Sequence, residues 1–269
     1  MWAYAKLGWK TARGSWFLLF ILFLYQYVWG FALYKYVKAT VVPLLHRYPG
    51  EELPESASRL FWLEAEFQLT KTDLVVPFLW TFGLLYLLRL LLTPLINCGV
   101  YGALSAGGGH RKAFFASVRR HAKPFLLLYA LQSLLAFGPL VWLLPRAIDA
   151  AATAYDGSTL AIALLPYIAG WLAYQGLLDL AFMHAGFAIV QGERGWTALP
   201  VLARNALPIV GLSLATFAIA AAVGLAVAAL SLWWAGFIAV LLHQTYPFVR
   251  SLMKLWAIAA QLHLRTACK

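Results

Sequence analysis

Arg89 and Asp179 each sit within a long apolar stretch that predicts a membrane span, and an ionised side chain in hydrocarbon is costly enough to need a partner or water. Both fall in the half of their span nearer one face. The first chemistry they imply is therefore an intramembrane ion pair that fixes helix register. The second is passage of a proton or small solute, with Gln175, His184, His243 and Arg250 expected to line a polar cavity beside the pair. Arg250 and Lys254 have another option, which is to extend their stems to the interface as cations near span ends do.

Other chemistry is not expected. His110, His121, His184, His263, Cys98 and Cys268 gather toward one predicted face, yet none shows a ligand spacing such as Cys-x-x-Cys, so no metal is implied. There is no nucleophile elbow. Gly107-Gly108-Gly109 has no preceding strand and no following Lys-Ser/Thr pair, which makes it a turn and not a phosphate cradle. No cofactor motif and no catalytic residue emerges, so the expected role is non-enzymatic. Cys98 and Cys268 are far apart in sequence and are both expected near a reducing face, so no disulfide is predicted.

The elements that must hold these residues are membrane helices. A chain of 269 residues that is 63% hydrophobic and 12% charged lies outside the range of soluble domains. The formal charge of +11 is dispersed at the ends of apolar runs and forms no nucleic-acid-binding motif, so nucleic acid is not an expected partner. An all-α, polytopic membrane domain is predicted, with six spans near 15–37, 74–100, 124–148, 159–190, 208–230 and 237–260. The basic first 14 residues look like the start of a signal peptide, but the apolar run after them is too long and has no small-residue cleavage site. That run is expected to stay as the first span. An outer amphipathic helix is predicted over 54–70, beginning at Pro54 in a loop rich in glutamate.

The segment from Asn97 to Leu128 joins two spans through the glycine turn and a short basic helix at 111–123. At 100° per residue Phe114, Phe115 and Val118 share one arc, while Lys112, Arg119, Arg120 and Lys123 share the opposite one. This pattern predicts an interfacial helix whose aromatic face enters the headgroup boundary while Arg111, Lys112, Arg119, Arg120 and Lys123 contact anionic lipid. Twelve of the 21 lysines and arginines fall in the segments this topology makes cytoplasmic and six in the outer ones, which places both termini inside a cell membrane.

A second short helix is predicted at 196–206, and it belongs to a repeat. Gly102–Phe125 (GALSAGGGHRKAFFASVRRHAKPF) aligns with Gly186–Ile209 (GFAIVQGERGWTALPVLARNALPI). In each copy a span ends, a glycine-containing turn follows, and Ala and then Arg six residues later (Ala113 and Arg119, Ala198 and Arg204) precede a proline and the next span. Both copies face the same side, so the repeat is parallel and differs from the inverted repeats of many transporters.

These motifs, with Ala188-Ile189-Val190-Gln191-Gly192 ahead of the second helix, resemble the membrane domain of some glycerophosphodiester phosphodiesterases and its stand-alone bacterial six-helix relatives. The resemblance spans about 97–220. It implies a membrane-embedded accessory role without hydrolysis, since no phosphodiesterase catalytic domain accompanies it. The expected function is a multi-pass scaffold that engages anionic lipids of the cytoplasmic leaflet and a membrane-protein partner. The alternative is a small-molecule or lipid transporter with a polar cavity between spans two, four and six.

Overall fold

A computed structural model of the chain describes residues 2–45, 76–107, 111–153, 157–233 and 237–268. The outer helix predicted at 54–70 lies outside the described residues. All regular structure among them is helical: α1 Trp2–Gly14, α2 Trp16–Leu45, α3 Val76–Ser105, α4 Arg111–Thr153, α5 Gly157–Val190, α6 Ala198–Arg204, α7 Ala206–Trp233 and α8 Phe237–Ala267, with a 3₁₀ turn at Gly195–Thr197.

Among the described residues, five segments are long and apolar enough to cross a membrane: Trp16–Ala39, Val76–Ser105, Arg111–Asp149, Ala161–Val190 and Ala206–Trp233. The chain is a multi-pass membrane protein. Its last helix, α8, is not one of the five, because Gln244, Arg250, Lys254, Gln261 and Arg265 interrupt its apolar face.

Two compact units divide the chain, Met1–Leu22 with Thr93–Lys269 and Phe23–Leu92. In the smaller unit, the Tyr36 hydroxyl donates to the Phe78 carbonyl at 3.2 Å and the Arg89 guanidinium stands 5.6 Å from the Trp29 ring. Rising numbers on α2 meet falling numbers on α3, so these stretches form an antiparallel hairpin. A guanidinium over an indole face keeps a cation tolerable among apolar side chains.

The larger unit is built around the C-terminal half of α8. Leu255, Ala259, Ala260, Leu262 and Leu264 are buried there, packed on α1 and α7 in a core they share with the start of α2, the end of α3 and Phe187 of α5. A helix buried on nearly every side is the centre of its bundle. The first 14 residues join this core as a helix, since Ala5, Gly8 and Ala12 form a stripe of small side chains that lets α1 lie close on α8. Trp256 Nε1 donates to the Ala5 carbonyl at 2.8 Å, and Thr11 Oγ1 lies 2.9 Å from His263 Nε2.

One expected break is absent. The helix at 111–123 and the span after it form one continuous α4, with Pro124 in its interior. Proline removes one hydrogen bond, but a membrane helix tolerates that when neighbouring groups hold it. In the second copy the break does occur, after Arg204. Asn205 departs from helical geometry (φ −116°, ψ 28°), and its Nδ2 donates to the Val201 carbonyl at 3.1 Å. Asn bonds readily to nearby backbone in this way, and in the aligned repeat the residue that follows Arg119 is instead a second arginine, Arg120.

Candidate functional site: the cation-rich end

The two repeat copies end their first spans alike. Gly107 and Gly192 have φ of +85° and +82°, and each donates its N–H to the carbonyl three residues back, Leu104 or Ile189. At the second copy the Glu193 N–H also reaches the Ala188 carbonyl at 2.9 Å, which completes a Schellman cap. A left-handed residue favours glycine, which explains the glycine in both turns.

Beyond the first cap, α4 is fixed by one face. Phe114 is 7% exposed, packs edge-on to Phe17 at 5.9 Å between centroids, and covers Gly99; Ser117 covers Gly102 and donates to the Cys98 carbonyl at 3.0 Å. This corrects the expected placement of Phe114 in the headgroup boundary. Glycines at 99 and 102 leave a bare helix surface, and the ring and the serine fill it. Phe115, one residue on, remains 61% exposed. Arg111, Lys112, Arg119, Arg120 and Lys123 are all exposed, as are Lys6, Lys10 and Arg13 on α1. Near the second cap Arg194 and Arg204 are exposed too, with the Arg194 guanidinium 5.6 Å from the Trp196 ring.

Beneath this surface lies a buried polar network that sequence alone did not assemble. Arg265, in the last turn of α8 and level with the loop beyond α5, is 1% exposed. Its Nη1 donates to the His184 carbonyl and its Nη2 to Glu193 Oε2 at 3.1 Å. A guanidinium this buried needs a counter-ion, and the Glu193 carboxylate supplies it. One turn earlier Gln261 donates to the Ile209 carbonyl at 2.9 Å and lies 2.8 Å from Ser213 Oγ, while its Oε1 is 3.4 Å from His184 Nε2. The network ties the end of α5, the start of α7 and the end of α8 together. One signal was available: Glu193 is the sole acid in the segments predicted to be cytoplasmic.

The polar residues of the predicted spans take the following places. Asp179 accepts a 2.6 Å hydrogen bond from Gln132 Nε2, and Gln175 Nε2 donates to the Ala136 carbonyl at 2.9 Å, so these two share the α4–α5 seam. His184 belongs to the buried network instead. Arg250 and Lys254 are exposed one turn apart on α8, and His243 lies in α8 with its side chain outside the described residues. Arg89 belongs to the smaller unit. Among the described residues, no group of three metal-ligating side chains occurs.

The Gln132–Asp179 contact makes a prediction. Asp179→Leu and Gln132→Leu should each lower the melting temperature in detergent, because each leaves a polar partner in an apolar seam. The double variant should recover about 1 kcal/mol relative to additivity. Strict additivity would show that the two side chains do not act together.

A groove of about 420 Å³ opens between α5, α6 and α7, with Leu177, Leu178 and Ala181 facing Leu202, Ala206 and Ile209. None of Gln175, Asp179, His184 and Arg250 lines it. Comparison of the chain with protein-family models, curated protein sequences and solved structures finds no match.

Proposed function

We propose that this chain is a non-enzymatic, multi-pass membrane scaffold whose cation-rich end faces the cytoplasm and binds anionic lipid headgroups. One observation carries the reading. The five cations at the start of α4 are exposed, while Phe114 and Ser117 fix the opposite face to the protein. A basic surface held rigidly beside the ends of membrane helices concentrates positive potential where anionic headgroups lie. Glu193, the acid in the adjoining turn, is already engaged by Arg265. The accessory role implied by the phosphodiesterase-domain resemblance agrees with this.

The reading takes α8 as a sixth crossing, with both termini inside. Support comes from its pairing with α7. A Cβ on Gly224 would come within 2.7 Å of the Tyr246 hydroxyl, and Gln261 bonds to Ile209, so 15 residues of each helix run antiparallel between these contacts. That is about 22 Å of shared depth at 1.5 Å per residue, out of a hydrocarbon core of about 30 Å. The apolar lining of the groove favours the scaffold over a transporter with a polar cavity.

The test is melting of the purified protein in mild detergent with phosphatidylglycerol or phosphatidylcholine added. Phosphatidylglycerol should stabilise the wild type more, since a ligand that binds only the folded state stabilises it. Arg119→Glu with Arg120→Glu should remove at least half of that difference, each cation being worth about 1 kcal/mol near an anionic surface. Equal stabilisation of variant and wild type would overturn the reading.

A further inference from the structure

We propose that the groove between α5, α6 and α7 holds one acyl chain of an anionic glycerophospholipid whose headgroup is retained by Arg204 and Arg194. The inference rests on the headgroup-binding reading and gives it a defined site.

The groove's size, about 420 Å³, falls among sites that enclose a small organic ligand, roughly 300–1,000 Å³. Its walls come from two helices apolar enough to cross the membrane, α5 and α7, so the medium around it is lipid. Tyr174 also lines it, but its hydroxyl donates to the Leu135 carbonyl at 3.1 Å, which takes that polar group out of play. Hydrocarbon is the chemistry that matches such walls.

Charge at the rim selects the headgroup. Leu202 and Ala206 line the groove at the end of α6 and the start of α7, and Arg204, exposed, stands between them in the chain. Arg194 is exposed on the turn before α6. The carboxylate in that turn, Glu193, is held by Arg265 at 3.1 Å, so the arginines are the charges presented to an incoming phosphate. Lipid tails gain little by moving from bilayer to protein, since both are apolar. Retention therefore depends on the two arginines.

Native mass spectrometry of the full chain, delipidated in detergent and titrated with dioleoyl phosphatidylglycerol or dioleoyl phosphatidylcholine, tests this. One phosphatidylglycerol should bind more tightly than the rest, preferred over phosphatidylcholine by on the order of tenfold. Ala206→Trp and, independently, Ala181→Phe should abolish that first binding event, whereas Ala222→Trp on the exposed face of α7 should leave it intact. Arg204→Glu should weaken that first phosphatidylglycerol binding event and erase the headgroup preference. A first lipid that persists in both groove-filled variants, each folded by its melting curve, would overturn the site. In that case loss of phosphatidylglycerol stabilisation in Arg119→Glu/Arg120→Glu would still uphold the wider reading, and its absence would reject both.

Discussion

Arg265→Ala is expected to cost about 3 to 5 kcal/mol of stability, because it removes one partner of a buried charged contact and strands the groups around it. The His184 carbonyl loses its donor, and Glu193 loses the guanidinium that holds it at 3.1 Å. Unlike Arg265, which is 1% exposed, the Glu193 side chain is 37% exposed and can turn toward water, which places the cost toward the lower end of that range. Glu193→Ala works in the opposite sense. It leaves a buried guanidinium with the carbonyl as its remaining acceptor in this network. Glu193→Gln keeps an oxygen acceptor and should lose less. The informative variant is Arg265→Met with Glu193→Gln, which fills the volume and removes both charges, and should recover much of the loss. Chemical unfolding in detergent monitors all four. If Arg265→Ala unfolds within about 1 kcal/mol of the wild type, the network is not what joins α5, α7 and α8.

How much of this was legible follows from where each signal resides. The spans around Phe20, Leu87 and Val223 could be read because an apolar run is a local property and membrane depth fixes its length. The α1 helix could not. Ala5, Gly8 and Ala12 carry almost no hydrophobic signal, and their value lies in how closely they let α8 approach. The continuity of α4 was missed for a related reason: Pro124 signals a local break, and packing of Phe114 and Ser117 onto Gly99 and Gly102 overrides it. The basic surface was visible as an arc of charge, yet the sequence alone could not say that Phe114 faces protein and Phe115 faces outward, since both share one apolar arc. Arg265 and Glu193 lie 72 residues apart, and only the fold brings them together.

Gly8→Leu is expected to detach α1 from α8. A Cβ on Gly8 would stand 2.6 Å from the Ala260 nitrogen and 2.7 Å from its Cα, and these are backbone atoms of the most buried helix, with no flexible side chain to yield. Even Gly8→Ala should be destabilising, by about 1 to 3 kcal/mol from overpacking. In an open helix position the same change would instead stabilise by up to about 1 kcal/mol, since alanine is the better helix former. Gly83 provides that comparison, because its added Cβ meets nothing within 4 Å. The sign of the effect should therefore differ between the two sites. With leucine at position 8 the helices must separate by more than one methyl group. The Trp256–Ala5 hydrogen bond, the Thr11–His263 contact and the edge-on Trp9–Trp256 pair at 5.6 Å should then fail together. Hydrogen exchange in detergent reads this directly: amides of α1 should lose protection in Gly8→Leu while those of α3 keep theirs. Unchanged protection of α1 in Gly8→Leu, together with a wild-type melting temperature, would mean that α1 does not pack on α8 through this glycine.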